Sequence, residues 1–225
     1  MKAHWLCGLF ALAAAGCLAE GRALFNGKDL TGWDGEPGWW TVEDGAITSE
    51  STPERPCKGA TYLSWTEGRP VDFELTAEFK LSEKGNSGIQ IRSQTRPKWD
   101  TFGYQADMTG DGGLAGFVYH HKGGLIAGRG EEVSIGADGK RVAKPLGDPK
   151  ELLKAYKQGD WNLYRIVCRG PLIELYLNGV LMSRFTEAAS DAPRDGLIAL
   201  QMHPGPPMKV QFKNLTLTEF NDEKK

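Results

Sequence analysis

Short segments in the middle of the chain alternate apolar and polar residues one by one. The longest alternation runs from Asp72 through DFELTAEFKLSEKGNSGIQIRSQ and continues in GYQADMTGDGGLAGFVYHH. Because successive side chains of a strand point to opposite faces of a sheet, Ile89 and Ile91 are predicted to face a core. The opposite face then carries the polar residues Gln90, Arg92, Gln94, Gln105 and Asp107. Amides, a guanidinium and a carboxylate on one open face suit a ligand rich in hydroxyl and carbonyl groups.

The pattern along the whole chain predicts an all-β fold. About ten strands separated by turn signals indicate a two-sheet antiparallel β-sandwich or a barrel rather than βαβ units. Asn178-Gly179 accepts positive φ at both centres of a hairpin turn. Lys150–Lys157 reads as a brief helix, and residues 128–149 read as a long surface loop. The predicted strands are Trp39–Ile47, Phe73–Leu81, Ser87–Gln94, Gly103–Met108, Gly116–His121, Trp161–Arg169, Leu172–Leu177, Val180–Phe185, Gly196–Met202 and Val210–Phe220.

The N-terminus has the pattern of an export signal. Lys2 gives a positive start, Trp5–Ala15 is apolar, and small residues follow. That run is too short to span a bilayer, which needs ~20 apolar residues, but it fits a signal peptide. Cleavage after Ala19 satisfies the small-x-small rule; the alternative is lipoprotein processing at Cys17. We therefore expect a periplasmic or extracellular protein, either free or lipid-anchored.

Composition argues for one domain and against two kinds of partner. Residues 20–225 are predicted to form a single β-sandwich domain. The 27 Lys and Arg against 29 Asp and Glu give a formal net charge of −2. With no basic run, the chain does not fit binding to nucleic acid or to an anionic membrane surface. No apolar stretch of membrane-spanning length follows the first one.

Four cysteines occur, and two of them, Cys57 and Cys168, remain after export. Two thiols in an oxidising compartment allow one disulfide, and we take this pairing as a hypothesis. No Cys-x-x-Cys spacing occurs, which argues against a structural zinc site. The sequence requires no cofactor, although Asp107, Asp111 and nearby carbonyls offer oxygen ligands for a divalent metal such as calcium.

Eight segments in order resemble a known family. They are LFNGKDLTGW, GWWTVEDGAI, DFELTAEFKL, GNSGIQIRSQ, GYQADM, WNLYRI, ELYLNGVLMSRF and GLIALQMHPGPPMKVQFKNLTL. Together they are similar to the bacterial 3-keto-disaccharide hydrolase domain, which is related in fold to concanavalin A-like lectins and glucanases. The resemblance covers about Ala23 to Phe220. It implies a jelly-roll sandwich with the ligand groove on its concave sheet, and cleavage of glycosides already oxidised at C3 of the sugar.

One departure from the related glucanases changes the expected chemistry. Those enzymes carry an acidic E-x-D-x-x-E strand, whereas the comparable strand here reads GYQADM, with Gln105 where a carboxylate nucleophile is needed. Double displacement requires two carboxyl groups roughly 5–5.5 Å apart. The sequence supplies no such pair. A ketone at C3 acidifies the hydrogen on C2, so one base can drive β-elimination of the group on C1, and water then adds to the enone.

This reaction needs a general base, a stabiliser for the enolate oxygen and a proton donor for the leaving group. Asp107 or a histidine is the candidate base, and Arg92 the candidate oxyanion holder; turn capping and a surface salt bridge are their structural alternatives. The expected catalytic residues are Asp107, Arg92, His203 and His120. The expected substrate-binding residues are Gln90, Gln105, Gln201, Arg129, Trp99 and Glu78.

Two functions from different classes remain open on the sequence. The first is an exported enzyme that cleaves 3-keto-glycosides by elimination and hydration. The second is a lectin-like carbohydrate-binding module, which needs the same fold and polar groove but no base. Because Arg, Asp and His share one predicted face without a run of exposed aromatic residues, the sequence favours the enzyme.

Overall fold

The computed structural model describes residues 21–121 and 123–220, which form seventeen strands and one short helix. The helix α1 spans Pro149–Leu153. The strands are β1 (Arg22–Ala23), β2 (Trp33–Gly35), β3 (Trp40–Glu43), β4 (Ala46–Glu50), β5 (Thr61–Trp65), β6 (Phe73–Leu81), β7 (Asn86–Arg96), β8 (Asp100–Thr109), β9 (Phe117–His120), β10 (Gly124–Ala127), β11 (Glu131–Ile135), β12 (Arg141–Pro145), β13 (Asn162–Arg169), β14 (Leu172–Leu177), β15 (Val180–Glu187), β16 (Leu197–Met202) and β17 (Lys209–Glu219).

The strands form two sheets of ten and seven strands. The ten-stranded sheet has the order β12-β11-β15-β14-β13-β6-β17-β4-β3, with β1 beside β17. The seven-stranded sheet has the order β10-β9-β8-β7-β16-β5-β2. Among the described pairings, β11 runs parallel to β15 and the others are antiparallel. The predicted two-sheet β-sandwich is therefore confirmed, with one parallel pair that the alternation did not indicate.

Alternate residues of each sheet meet in one apolar core. On β6 the inward residues are Phe73, Leu75, Ala77, Phe79 and Leu81, all buried. The seven-stranded sheet contributes inward side chains to the same cluster, namely Ile89, Ile91, Tyr104, Ala106, Met108, Ile198, Leu200 and Met202. Removing this apolar surface from water is the main force that holds the sheets together. The residues between these positions must then face outward.

Several segments differ from the sequence-based expectation; Trp39–Ile47, expected as one strand, contains β3 and the start of β4, which pair as a hairpin. Residues 128–149 were expected to be a loop, but they contain β11 and β12, which form the edge of the ten-stranded sheet. That prediction was wrong because all residues of β12 are exposed. The strand therefore shows no alternation of buried and exposed positions that would have indicated it. The helix is shorter than expected, and Asp148 caps it by accepting a hydrogen bond from the backbone N–H of Lys150 at 2.8 Å.

Both described cysteines, Cys57 and Cys168, are free and buried, so the disulfide hypothesis is wrong. Cys168 lies on β13 in the core, while Cys57 precedes β5, with its Sγ 3.0 Å from the carbonyl of Gly59. The expected export signal falls in residues 1–19, outside the described residues. Within residues 21–121 and 123–220, no helix is long and apolar enough to cross a membrane.

Candidate active site

A cavity of about 460 Å³ opens on the outer face of the seven-stranded sheet. Ligand-binding pockets commonly have volumes of about 300–1,000 Å³. Six strands or their ends contribute to it: β5, β7, β8, β9, β10 and β16. The polar side chains that line it are Tyr62, Asn86, Arg96, Asp100, Gln105, Asp107, Tyr119, His121, Gln201 and His203. We call this cavity the catalytic pocket.

A chain of amide hydrogen bonds forms the floor of the catalytic pocket. Gln90 Nε2 donates to Gln105 Oε1 at 2.5 Å, and Gln105 Nε2 donates to Asp107 Oδ1 and, at 3.2 Å, to Gln201 Oε1. Gln201 Nε2 donates in turn to the Tyr62 hydroxyl at 2.7 Å. These side chains are all buried, and buried polar groups of this kind hold one another in fixed orientations. The network therefore fixes the direction of the Asp107 carboxyl group.

Asp107 is the buried acid of the pocket, with 6% of its surface exposed. Burial raises the pKa of Asp107 to about 7, and the hydrogen bond from Gln105 only partly offsets this effect. A carboxyl group in low dielectric favours its neutral form, which is why the pKa rises. A pKa near neutrality is the property required of a general base or acid that works at physiological pH.

Tyr62 and His121 form a second titratable pair in the pocket. His121 Nδ1 lies 3.2 Å from the carbonyl oxygen of Gly103, which can only accept, so Nδ1 carries a proton. In the neutral imidazole Nε2 then accepts from the Tyr62 hydroxyl, 3.2 Å away. Burial is the main reason that the pKa of Tyr62 is raised to about 12. The Tyr62 phenol therefore keeps its proton at neutral pH, with its oxygen held between Gln201 and His121.

The two adjacent histidines lie on opposite faces of the sheet. The sequence-based prediction placed His120 in the pocket, but the structure places His121 there. Tyr119 pairs with Gln105 across β8 and β9, so His121, two residues on, shares the outward face. His120 pairs with Tyr104 and packs against its ring, with centroids 4.7 Å apart. It lines a separate cavity of about 480 Å³. Placing His120 in the pocket was therefore wrong, and His121 takes that position.

The prediction that Arg92 lies in the groove was also wrong. The β7–β8 pairing has a bulge between Ile91 and Gln94, and Arg92 itself has a φ of 48°. A bulge adds one residue to a strand and changes the face to which its side chains point. The guanidinium consequently enters the sandwich, with 1% of the residue exposed. It donates to the carbonyls of Gly170 at 2.8 Å and Val71 at 2.9 Å and to Asp72 Oδ1 at 3.3 Å.

Two further expected ligand-binding residues lie away from the pocket. Arg129 donates to three backbone carbonyls, those of Pro149 at 2.9 Å, Gly112 at 2.9 Å and Ala115 at 2.8 Å, and so fastens loops together. Glu78 is on β6 in the other sheet, where it accepts a hydrogen bond from Asn214 Nδ2 at 2.7 Å. Both assignments to the groove were therefore wrong. For Glu78 the solvated-face alternative is the correct one.

The remaining expected residues lie in or next to the pocket. Gln105, Asp107, Gln201 and His203 line it, and Gln90 lies under it through its hydrogen bond to Gln105. His203 Nδ1 is 2.6 Å from the carbonyl of Pro204. Trp99 does not line the catalytic pocket but an adjoining cleft. Parity within unbroken strands was a reliable guide to these positions.

Six of the polar pocket residues were not among the expected ones: Tyr62, Asn86, Arg96, Asp100, Tyr119 and His121. Tyr62 belongs to β5, a strand that the alternation did not reveal because TYLSW has no clear polar parity. Arg96, and not Arg92, places a guanidinium at the rim of the pocket. Its Nη1 lies 3.4 Å from Asp100 Oδ2. Within the described residues no group of three or more His, Cys, Asp or Glu is arranged to hold a metal ion.

Comparison with solved structures identifies the fold. A "putative glycosyl hydrolase" from Parabacteroides distasonis is 22% identical over 88% of this chain and 93% of that chain, with a TM-score of 0.58. The carbohydrate-binding module CBM66 from Bacillus subtilis is 16% identical over 84% and 96%, with a TM-score of 0.55. A β-glucanase from Bacillus licheniformis is 12% identical over 88% and 97%, with a TM-score of 0.50.

At these identities the likeness shows the fold alone, which is a concanavalin-like sandwich shared by glycosyl hydrolases and carbohydrate-binding modules. No protein of curated function matches the sequence significantly. A family model described as the 3-keto-alpha-glucoside-1,2-lyase-like domain matches residues 20–218. That match covers nearly the whole chain and includes every strand of the catalytic pocket. The chain therefore belongs to the 3-keto-alpha-glucoside-1,2-lyase-like domain family.

Proposed function

We propose that the protein cleaves glycosides whose sugar carries a ketone at C3, by elimination across C1 and C2 followed by hydration. The observation that carries this proposal is Asp107, a buried carboxyl group with a pKa of about 7 on the wall of a polar pocket. The family description names a 1,2-lyase, which is an enzyme that eliminates across those two carbons. An elimination of this kind needs one base and no carboxylate nucleophile.

Asp107 carries the only buried carboxyl group among the described residues that line the pocket. Its other carboxyl group, that of Asp100, is partly exposed and paired with Arg96 at the rim. Gln105 stands two residues before Asp107, at the position where the related glucanases carry a carboxylate. An amide cannot act as a glycosyl nucleophile, so the site fits proton abstraction better than double displacement.

In the proposed reaction Asp107 takes the proton from C2, and the electron pair delocalises onto the C3 oxygen. Asn86, at the start of β7, and His203, just after β16, stabilise that oxygen. They lie close together because Leu200 of β16 pairs with Ile89 of β7. The electron pair then returns, the C1–O bond breaks, and a double bond forms between C1 and C2. The Tyr62 hydroxyl, oriented by Gln201 and His121, gives its proton to the departing oxygen. Water then adds to the resulting enone and restores the Tyr62 proton, which completes a net hydrolysis.

A carbohydrate-binding module without catalysis is the second candidate, because CBM66 has the same fold and the pocket floor is a fixed set of amides. Binding alone gives no reason for an acid of near-neutral pKa in the pocket. Burying a carboxyl group costs stability, and binding through amides and hydroxyls does not need it. The position of Asp107 therefore favours the enzyme.

The test is incubation of the purified protein with a 3-keto-disaccharide and with its unoxidised parent, with the products identified by mass. Cleavage of the keto sugar alone is expected, and Asp107→Asn should lower the rate ~10²–10⁴-fold because it removes a positioned base. Equal cleavage of both sugars would restore a conventional hydrolase. Binding of the keto sugar without any cleavage would instead establish the carbohydrate-binding module.

We also propose that the protein is exported through its first 19 residues and acts in the periplasm or outside the cell. The support is the apolar run of Trp5–Ala15 after Lys2. Mass analysis of the N-terminus of the protein made in its own host tests this proposal. A chain that begins at Glu20 indicates simple cleavage, a lipid-modified Cys17 indicates anchoring, and an intact Met1 contradicts export.

A further inference from the structure

A second cleft adjoins the catalytic pocket at the hairpin between β7 and β8. It has a volume of about 280 Å³ and is lined by Asp34, Ser64, Thr95, Arg96, Lys98, Trp99 and Asp100. Arg96 and Asp100 also line the catalytic pocket, so the two cavities meet at this ion pair. We call the second cavity the Trp99 cleft. The two cavities are therefore neighbours, with the Arg96–Asp100 ion pair at their boundary.

The hairpin turn holds Trp99 in an unusual backbone conformation. Lys98 has a φ of 65° and Trp99 a φ of 52°, in the left-handed region that residues other than glycine rarely adopt. Such conformations persist where the surrounding structure fixes them, often at ligand-binding sites. Here the backbone N–H of Tyr62 donates to the carbonyl of Trp99 at 2.9 Å. The turn is thus tied to the strand whose Tyr62 side chain points into the catalytic pocket.

The lining of the Trp99 cleft indicates the chemistry of its ligand. The Trp99 side chain is a flat apolar surface, and 39% of the residue is exposed. Around it lie two carboxylates, two cations and two hydroxyl groups, so the formal charges balance and an ionic ligand gains no net attraction. A pyranose ring has an apolar C–H face and a rim of hydroxyl groups, and this combination matches an aromatic plane with a polar border.

We propose that the Trp99 cleft binds the leaving-group sugar, so that the protein selects 3-keto-disaccharides over 3-keto-glycosides that have small leaving groups. The inference rests on the proposed function. The cleft and the catalytic pocket meet at Arg96 and Asp100, next to Tyr62, whose hydroxyl protonates the departing oxygen in the proposed reaction. The glycosidic oxygen then lies at the junction of the two cavities, with the 3-keto ring on the Asp107 side and the second ring on Trp99.

The first test compares two substrates, a 3-keto-disaccharide and a 3-keto-glycoside with a methyl leaving group. Trp99→Ala is expected to lower kcat/KM for the disaccharide about five- to tenfold, mainly through KM, because an aromatic stacking partner is lost. The same variant should leave the methyl glycoside unchanged. Trp99→Phe keeps a ring and should recover part of the loss. Leu163→Ala is the matched control, since Leu163 is similarly exposed, at 41%, on the other sheet.

A binding measurement separates this inference from the proposed function. The unoxidised parent disaccharide is titrated calorimetrically into the wild-type protein, Trp99→Ala and the control Leu163→Ala. Weaker binding is expected for Trp99→Ala and not for Leu163→Ala. Equal losses on both substrates, or unchanged kinetics and binding in Trp99→Ala, would overturn the leaving-group cleft while leaving the elimination intact. A wild-type protein that binds the disaccharide through Trp99 but cleaves no keto sugar would overturn the proposed function instead.

Discussion

At the scale of single residues, the chemistry of Asp107 depends on where it lies rather than on any neighbouring charge. Burial raises its pKa and the hydrogen bond from Gln105 lowers it, and burial is the larger effect. The same carboxyl group on the surface would be fully ionised at neutral pH and a weaker base. The site thus obtains a base of suitable pKa at the expense of folding stability, which is common at catalytic positions.

This cost can be measured as a pH dependence of stability. The pKa of Asp107 rises from 3.8 to about 7 on folding, so between these values the folded protein binds a proton that the unfolded chain has lost. Stability should therefore fall as the pH rises from about 4 to about 7. Asp107→Asn removes the ionisation, so the variant should match the wild type near pH 4 and exceed it above pH 7 by up to about 4 kcal/mol. Urea unfolding at a series of pH values measures the difference.

Asp29→Asn is a control for which the stability difference from the wild type should have the opposite sign. Hydrogen bonds from Thr31 and Asn26 lower the pKa of Asp29 from 3.8 to about 2, so its ionised form favours the folded state. The wild type should therefore gain stability over this control as the pH rises from about 2 to about 4, and the difference should stay constant at higher pH. A constant difference between Asp107→Asn and the wild type across the whole pH range would show that Asp107 has an ordinary pKa.

The corrected position of Arg92 gives a second expectation at this scale. Its guanidinium bridges the two sheets. Removing it takes a donor from the carbonyls of Gly170 and Val71 and the cation from Asp72, whose Oδ1 keeps the backbone N–H of Gly170. Breaking a buried pair of this kind costs about 3–5 kcal/mol, so Arg92→Ala should lower Tm strongly while the folded fraction keeps its kcat. Thermal unfolding and single-substrate kinetics measure the two effects. A variant of normal Tm but lost kcat would return Arg92 to the active site.

At the scale of elements, the site depends on the antiparallel pair β7 and β8. Gly88 of β7 pairs with Asp107 of β8, and the Gln105 side chain lies across the glycine. Any Cβ at position 88 would overlap that side chain. Position 88 therefore requires glycine because the Gln105 amide packs against its Cα, and not because of its backbone angles. Without it the amide could not reach both Asp107 and Gln201.

Gly88→Ala should displace Gln105 and weaken its hydrogen bond to Asp107. Because this bond lowers the pKa of Asp107, its loss should move the rise of the pH–rate profile to higher pH as well as reduce the rate. Gly59→Ala is the matched control, since a Cβ there meets no atom within 4 Å. If both variants have the same pH–rate profile as the wild type, the proposed role of Gln105 is wrong.

The regularity of each strand explains why the sequence predicted some residues of the site and not others. In β8 and β16 the alternation is unbroken, so the outward positions of Gln105, Asp107 and Gln201 followed from parity. In β7 the bulge turns Arg92 inward, and a bulge without glycine leaves no signal in a single sequence. At the end of β9 the choice between His120 and His121 required the pairing of Tyr119 with Gln105, which is a tertiary contact.

At the scale of the whole molecule, the two sheets have different tasks. The ten-stranded sheet supplies one wall of the core, and the ion pairs on its outer face include Arg165–Glu74 and Arg184–Glu174. The seven-stranded sheet has its inner face in the same core and places the catalytic pocket and the Trp99 cleft at its outer face. The fold class followed from the sequence because both sheets share the period-two pattern. The edge hairpin of β11 and β12 did not, because Val133 is its one fully buried residue and β12 is exposed throughout.

The central claim is that cleavage begins with loss of the hydrogen on C2. The most direct test is to run the reaction on a 3-keto-disaccharide in D₂O and to follow C2 of the released keto sugar by NMR. An enzyme-free incubation of that product in D₂O corrects for spontaneous exchange. The expected result is deuterium at C2 of the hydrated product, or no hydrogen there if the enone is released. Protium retained at C2 at the level of the enzyme-free control would show direct displacement at C1 and contradict the elimination.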